Sequence, residues 1–198
     1  MNRLFMHRCL LAVILFVLPL QAFAATARET VEEKVQQVVS TLGSPDFKQL
    51  SKDDQIGEIR GIVNEIFDYN ELSRRCLGRG WKKLNDAQRK EFVHLFSELL
   101  EKTYADRLLA YTSEKINFGR ETELKKGRVE VESVIVTTDG KEVPLNYRLT
   151  DKSGQWRVYD VIIEGISMVQ NYRSQFRDIL AQKTPDDLLQ VLREKVNS

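Results

Sequence analysis

His94, Cys76, Ser167, Asp160, Asn171 and Arg173 are the side chains here whose types could do chemistry, and their contexts narrow what that chemistry could be. His94 stands between Val93 and Leu95 in a helical stretch, with no cysteine or second histidine spaced to share a metal with it. Cys76 follows Arg74 and Arg75, a positive field that would favour a thiolate, yet no base accompanies it, and a small apolar packing residue is the reading its context favours. Ser167 closes the run Glu164-Gly165-Ile166-Ser167, which lacks the glycine-flanked pattern of a nucleophile elbow, and no glycine-rich phosphate loop occurs. The acidic pairs Glu32-Glu33 and Asp53-Asp54 fall in helix first turns, where the dipole favours them. The sequence supplies no catalytic constellation and calls for no metal or cofactor.

Binding is better supported. In WRVYDVIIEGISMVQNYRSQF, from Trp156 to Phe176, strand alternation puts Trp156, Val158, Asp160 and Ile162 on one side and Arg157, Tyr159, Val161 and Ile163 on the other. By its second half neither side is polar. An antiparallel strand with one solvated face shows alternation, so this strand must be covered twice. Either helices fill both sides, or one covered side is the wall of a cavity. The second strand behaves alike, with Val134 and Ile135 breaking the pattern of Val129, Val131 and Val136.

The elements that position these residues follow from periodicity. Apolar residues at Val31, Val35, Val38, Val39 and Leu42 predict a helix over 27–42, stopped by Gly43, Ser44 and Pro45. Ser51 with Asp54 opens a second, striped by Ile56, Ile59, Ile62, Val63, Ile66 and Phe67. A short helix over 70–77 ends at Gly78; Trp81 sits in a turn, and Asn85 caps the longest helix, 86–111. Alternation then predicts four strands between Lys115 and Ile163, divided at Lys126-Gly127, Asp139-Gly140 and Ser153-Gly154. Short connections make them an antiparallel meander, with Pro144 at an edge or bulge position. Helices over 166–182 and 185–196 follow. The expected fold is α+β: a four-stranded antiparallel meander packed by N-terminal and C-terminal helices around an apolar cavity.

The chain of 198 residues is expected to comprise a cleaved secretory segment, 1–24, and a single domain, 25–198. Arg3 and Arg8 precede an apolar run from Cys9 to Leu20, shorter than the ~20 residues of a spanning helix, and Ala22-Phe23-Ala24 fits a cleavage site. Cleavage removes two cations and no acid, so the formal charge of +1 becomes −1. That balance is no footprint for nucleic acid. Cys76 would be the only thiol left, so no internal disulfide braces the exported chain.

Three separated stretches, FDYNELSRRCLGRGW (67–81), RKEFVHLFSELLEKTY (89–104) and WRVYDVIIEGISMVQNYRSQF (156–176), resemble the MlaC family of periplasmic phospholipid carriers, also called the toluene-tolerance auxiliary family. The likeness covers nearly all of the chain after the export segment. It implies a periplasmic shuttle, not an enzyme, moving lipid between an outer-membrane lipoprotein-porin complex and an inner-membrane ABC transporter with its periplasmic lipid-binding subunit. It also implies acyl chains held between sheet and helices with the head group near the mouth, in a protein expected to be a monomer. The family includes carriers of other lipids, such as hopanoids. Exposing an acyl chain to water costs ~0.8 kcal/mol per methylene, roughly 20 kcal/mol for a two-chain lipid, so such a carrier needs apolar walls and no catalytic group.

On this reading the expected chain-binding wall is Phe96, Leu100, Tyr104 and Leu108 on the long helix, Val134 and Val136 on the second strand, Tyr147 on the third and Ile162 on the fourth. Ile166, Val169 and Tyr172 complete it. Each competes with a role in ordinary core packing. Asn171 and Arg173 need polar partners: Arg173 either clamps its helix to Asp160 or Glu164, or meets a phosphate at the cavity mouth. The rival enzyme reading, a small ketosteroid-isomerase-like fold, requires Asp160 to face an empty apolar pocket unpaired. A second rival, a peptide-binding scaffold, requires a filled core and an exposed sheet edge.

Overall fold

The computed structural model describes residues 25–110 and 115–198. The expected export segment, 1–24, and Tyr111 lie outside the described residues. The first helix, α1 (Ala27–Gly43), opens on a capping box in which the Thr26 side chain accepts from Glu29 N while Glu29 accepts from Thr26 N. Pro45 does not merely stop it. Proline is tolerated at the first helical position, and a short unexpected helix, α2 (Pro45–Gln49), starts there. Then come α3 (Lys52–Ile66), capped by Ser51, and α4 (Tyr69–Leu77), capped by Asp68. A 3-10 turn, Gly78–Lys83, carries Trp81 into α5 (Asp86–Leu109).

The strands β1 (Lys115–Lys125), β2 (Arg128–Val136), β3 (Glu142–Lys152) and β4 (Gln155–Ile163) pair in chain order, all antiparallel. A fifth, β5 (Ile166–Ser167), corrects the expected four. It forms because Glu164 (φ 49°) and Gly165 (φ 81°) both take positive φ, as a tight two-residue hairpin turn requires. Glu-Gly is a weaker signal for that turn than Asn-Gly or Asp-Gly, so the sequence carries the penultimate helix back to Ile166. It begins two residues later, as α6 (Met168–Gln182), followed by α7 (Pro185–Asn197). Pro144 is also corrected, since β3 is central in the sheet. The proline lies just past the last β3–β4 pair, Leu145 with Ile163, where its carbonyl accepts from Glu164 N (2.9 Å) and no amide donor is needed.

Packing divides into two main cores. In the helical one, α4, α5, α6 and α7 bury Leu72, Cys76, Phe92, Phe96, Tyr172, Phe176 and Leu188 together. Edge-to-face rings at 4.9–5.2 Å join Phe92, Phe96, Tyr172 and Phe176. The other lays Ala27 and Val31 of α1 on Val129, Val131, Tyr147, Leu149, Val158 and Val161 of the sheet. Phe67 and Met168 pack against both.

One irregularity in β4 governs which residues face which core. Leu149 pairs with Val158 but Arg148 pairs with Asp160, leaving Tyr159 as an extra residue, a β-bulge. Beyond it the alternation changes parity. Asp160, 2% exposed, turns toward α6: its carboxylate accepts from Ser167 Oγ (2.6 Å) and Val169 N (3.0 Å) and meets Arg148 Nη1 at 3.5 Å. The carboxylate thus sits at the N-terminus of α6, where the helix dipole favours it. Removing it would strand two buried donors and leave Arg148 with Glu130, at 2.8 Å, as its carboxylate partner. Asp160→Ala should cost about 3 kcal/mol in urea unfolding, with Asp160→Asn losing less; an unchanged midpoint for both would show that the staple contributes nothing.

Candidate binding cavity

The stripes of α1 and α3 are wider than their packing needs, and the surplus lines a cavity. On α1, Val31 and Leu42 are buried while Val35, Val38 and Val39 remain half-buried. On α3, Ile56 and Val63 are half-buried beside buried Ile59, Ile62 and Ile66. These side chains, the C-terminal half of α5, and Ile116, Ile135, Leu145, Tyr147, Val158, Val161 and Ile163 of the sheet enclose about 390 Å³. That lies within the ~300–1,000 Å³ of ligand pockets. Met168 lines it where β5 meets α6.

Polar groups are few and stand at the edge. Lys34, Arg60, Glu101 and Arg107 are the charged lining residues among those described. Lys34 pairs with Glu65 at 2.5 Å, and Arg60 pairs with Glu101 from α3 to α5. That bond also raises the Arg60 pKa above its ordinary value. Tyr69 stacks on Phe67 with centroids 5.7 Å apart. Burial pushes its phenol up to about 12, the Glu101 carboxylate adding to the shift and Arg60 opposing it, so the hydroxyl is neutral at physiological pH. Among the described residues no group of three or more His, Cys, Asp or Glu could hold a metal. His94 is exposed beside Glu98, and Cys76 is fully buried with its thiol raised to about 12, first by desolvation and then by Asp160. Neither touches the cavity. Nor does Asp160, which is paired and points to the opposite side of the sheet, removing the observation the enzyme reading required.

A family model described as MlaC protein matches residues 32–194. The chain belongs to the MlaC family. It is 30% identical over 147 residues to the intermembrane phospholipid transport system binding protein MlaC of Haemophilus influenzae, covering 70% of this chain and 69% of that protein. It is 24% identical over 181 residues to the toluene tolerance protein ttg2D of Pseudomonas putida, covering 90% and 84%. Among solved structures it is similar to the phospholipid-binding protein from Ralstonia solanacearum in complex with a phospholipid. The TM-score is 0.79 at 25% identity, over 87% of this chain and 98% of that one.

Within this MlaC-family chain, Leu100, Tyr104, Leu108 and Tyr147 line the cavity. The other expected wall residues stand elsewhere. Phe96, Val169 and Tyr172 belong to the close-packed helical core, because α5 turns its N-terminal half to the bundle and only its C-terminal half to the cavity. Val134 and Val136 occupy the opposite face of β2: the β2–β3 register runs without a shift, so Val129, Val131, Ser133 and Ile135 point inward together. Ser133 disguises that pattern, and it is satisfied by donating its hydroxyl to the Leu145 carbonyl. Ile162 is turned away by the bulge, which sends Val161 and Ile163 inward instead. Ile166 is 66% exposed on the hairpin.

Asn171 and Arg173 lie on the exposed face of α6, away from the cavity. The Asn171 side-chain oxygen accepts from Gln175 Nε2 at 3.3 Å. Arg173 meets neither Asp160 nor Glu164. Its Nε donates to the Arg75 carbonyl at 2.8 Å, satisfying one of the orphan carbonyls at the end of α4, and it passes over Gly78, whose positive φ of 54° ends that helix. The α1 and α3 walls were missed as walls, although adjacent apolar pairs, Val38-Val39 and Ile62-Val63, signal stripes broader than a core seam. The two faces of β2 are separable by experiment. Ile135→Asp should reduce binding of an apolar fluorescent probe at least about tenfold and Val134→Asp should leave it unchanged; equal losses in two folded variants would contradict the assigned faces.

Proposed function

We propose that this protein is a periplasmic carrier that buries the acyl chains of a phospholipid in the cavity between α1, α3, α5 and the sheet. The observation that carries the reading is an apolar volume of about 390 Å³, bounded by half-buried aliphatic side chains, with its charges confined to the edge. A wall of that kind exchanges water for methylenes at about 0.8 kcal/mol each, and it needs no covalent step to let them go. The relatives support the same reading. They are named for binding in intermembrane phospholipid transport and for toluene tolerance, and the similar structure is in complex with a phospholipid. No helix among the described residues is long and apolar enough to cross a membrane.

In the full reading, residues 1–24 are a cleaved export segment and 25–198 a single lipid-binding domain that works as a monomer. It receives lipid at one membrane and delivers it at the other, between an outer-membrane lipoprotein-porin complex and an inner-membrane ABC transporter with its periplasmic subunit. Leu100, Tyr104, Leu108 and Tyr147 contact the chains together with the α1 and α3 stripes. Organic extracts of the purified mature chain should contain close to one phospholipid per protein by mass spectrometry, and the protein should move labelled phospholipid between two populations of vesicles. Gently purified protein that carries no lipid and accepts none from vesicles would refute the carrier.

A further inference from the structure

The charged residues at the edge of the cavity are unequal. Lys34 is held by Glu65, and Arg60 by Glu101. Asp106, beside Arg107 in sequence, is taken by Lys52 at 2.7 Å. Arg107 is left with no acidic partner among the described residues. It both lines the cavity and is exposed, in the last turn of α5, where the helix dipole favours a cation. The neighbouring Leu108, 40% exposed, also lines the cavity, so apolar wall gives way to solvent at this turn.

We propose that Arg107 binds the phosphodiester of the lipid whose chains occupy the cavity, so that the rim selects a phosphate-bearing head group over an uncharged one. The proposal rests on the carrier reading above. Chains drawn into the cavity leave the polar end where the apolar wall stops, and Arg107 stands at that boundary. A guanidinium matches two phosphate oxygens at once. Arg60 has the same chemistry but is committed to Glu101. Because Arg107 is exposed, the contact discriminates modestly, without dominating retention.

The test offers the purified full chain an equimolar mixture of phosphatidylglycerol and diacylglycerol with identical acyl chains, dispersed in detergent, and quantifies each bound lipid by mass spectrometry. The wild type should favour phosphatidylglycerol by about tenfold. Arg107→Ala should reduce that preference to about twofold with diacylglycerol uptake unchanged, and Arg107→Lys should restore part of it. Inorganic phosphate at millimolar concentration should not displace the bound lipid, since free phosphate lacks the chains. An unchanged preference in folded Arg107→Ala, or displacement by inorganic phosphate, would overturn the proposal. Uptake of neither lipid by the wild type would instead overturn the carrier reading beneath it.

Discussion

Asp160 is enclosed between β4 and α6 with only the Ser167 hydroxyl, the Val169 amide and the Arg148 guanidinium to balance its charge, and those partners fix the course of the chain around it. A buried carboxylate without them would cost several kcal/mol. Keeping them requires the bulge at Tyr159, and the bulge requires that Val161 and Ile163, rather than Asp160 and Ile162, complete the inward face of β4. The same geometry lets the Glu164-Gly165 turn double the chain back into β5 and start α6 on a preformed cap. One electrostatic requirement thus sets the cavity wall and docks the helical core beside it.

The two cores then serve different ends. Edge-to-face rings at 4.9–5.2 Å pack the bundle of α4 to α7 closely, and its α4 and α6 rest against β4. The layer of α1 and α3 over the sheet is not closed in that way. Its valines and isoleucines touch a void on one side and each other on the other, and ion pairs from Lys34 to Glu65, Arg60 to Glu101 and Lys52 to Asp106 tie the helices at the margin. Such exposed pairs contribute little individually. A binding wall joined by weak straps and backed by a close-packed bundle suits a ligand that must be taken up and released.

Much of the architecture was legible in the sequence because periodicity and caps report local backbone preferences. The stripes of α1 and α3, the caps at Ser51 and Asn85, and the strand boundaries at Gly127, Gly140 and Gly154 are signals of that kind. The wall was less legible. Assigning Ile162 inward followed from strict alternation, and a one-residue bulge inverts every assignment beyond it. Phe96 and Leu100 share one stripe of α5 and one buried core, yet only Leu100 also lines the cavity, because that difference depends on what lies opposite. Arg173 had two readings from the sequence, a clamp to a nearby carboxylate or a phosphate contact at the mouth, whereas its partner is a backbone carbonyl at a helix end brought close only by the fold.

The central claim is that lipid chains lie against the α1, α3 and inward sheet residues and nowhere else in the molecule. Photocrosslinking from a phospholipid with a diazirine near the end of one acyl chain, followed by residue-level mapping, tests it most directly. The account predicts adducts on residues such as Val35, Val38, Ile135 and Leu145, which line the cavity. Adducts confined to Val134, Val136 and Ile162, or to the aromatic bundle, would contradict it.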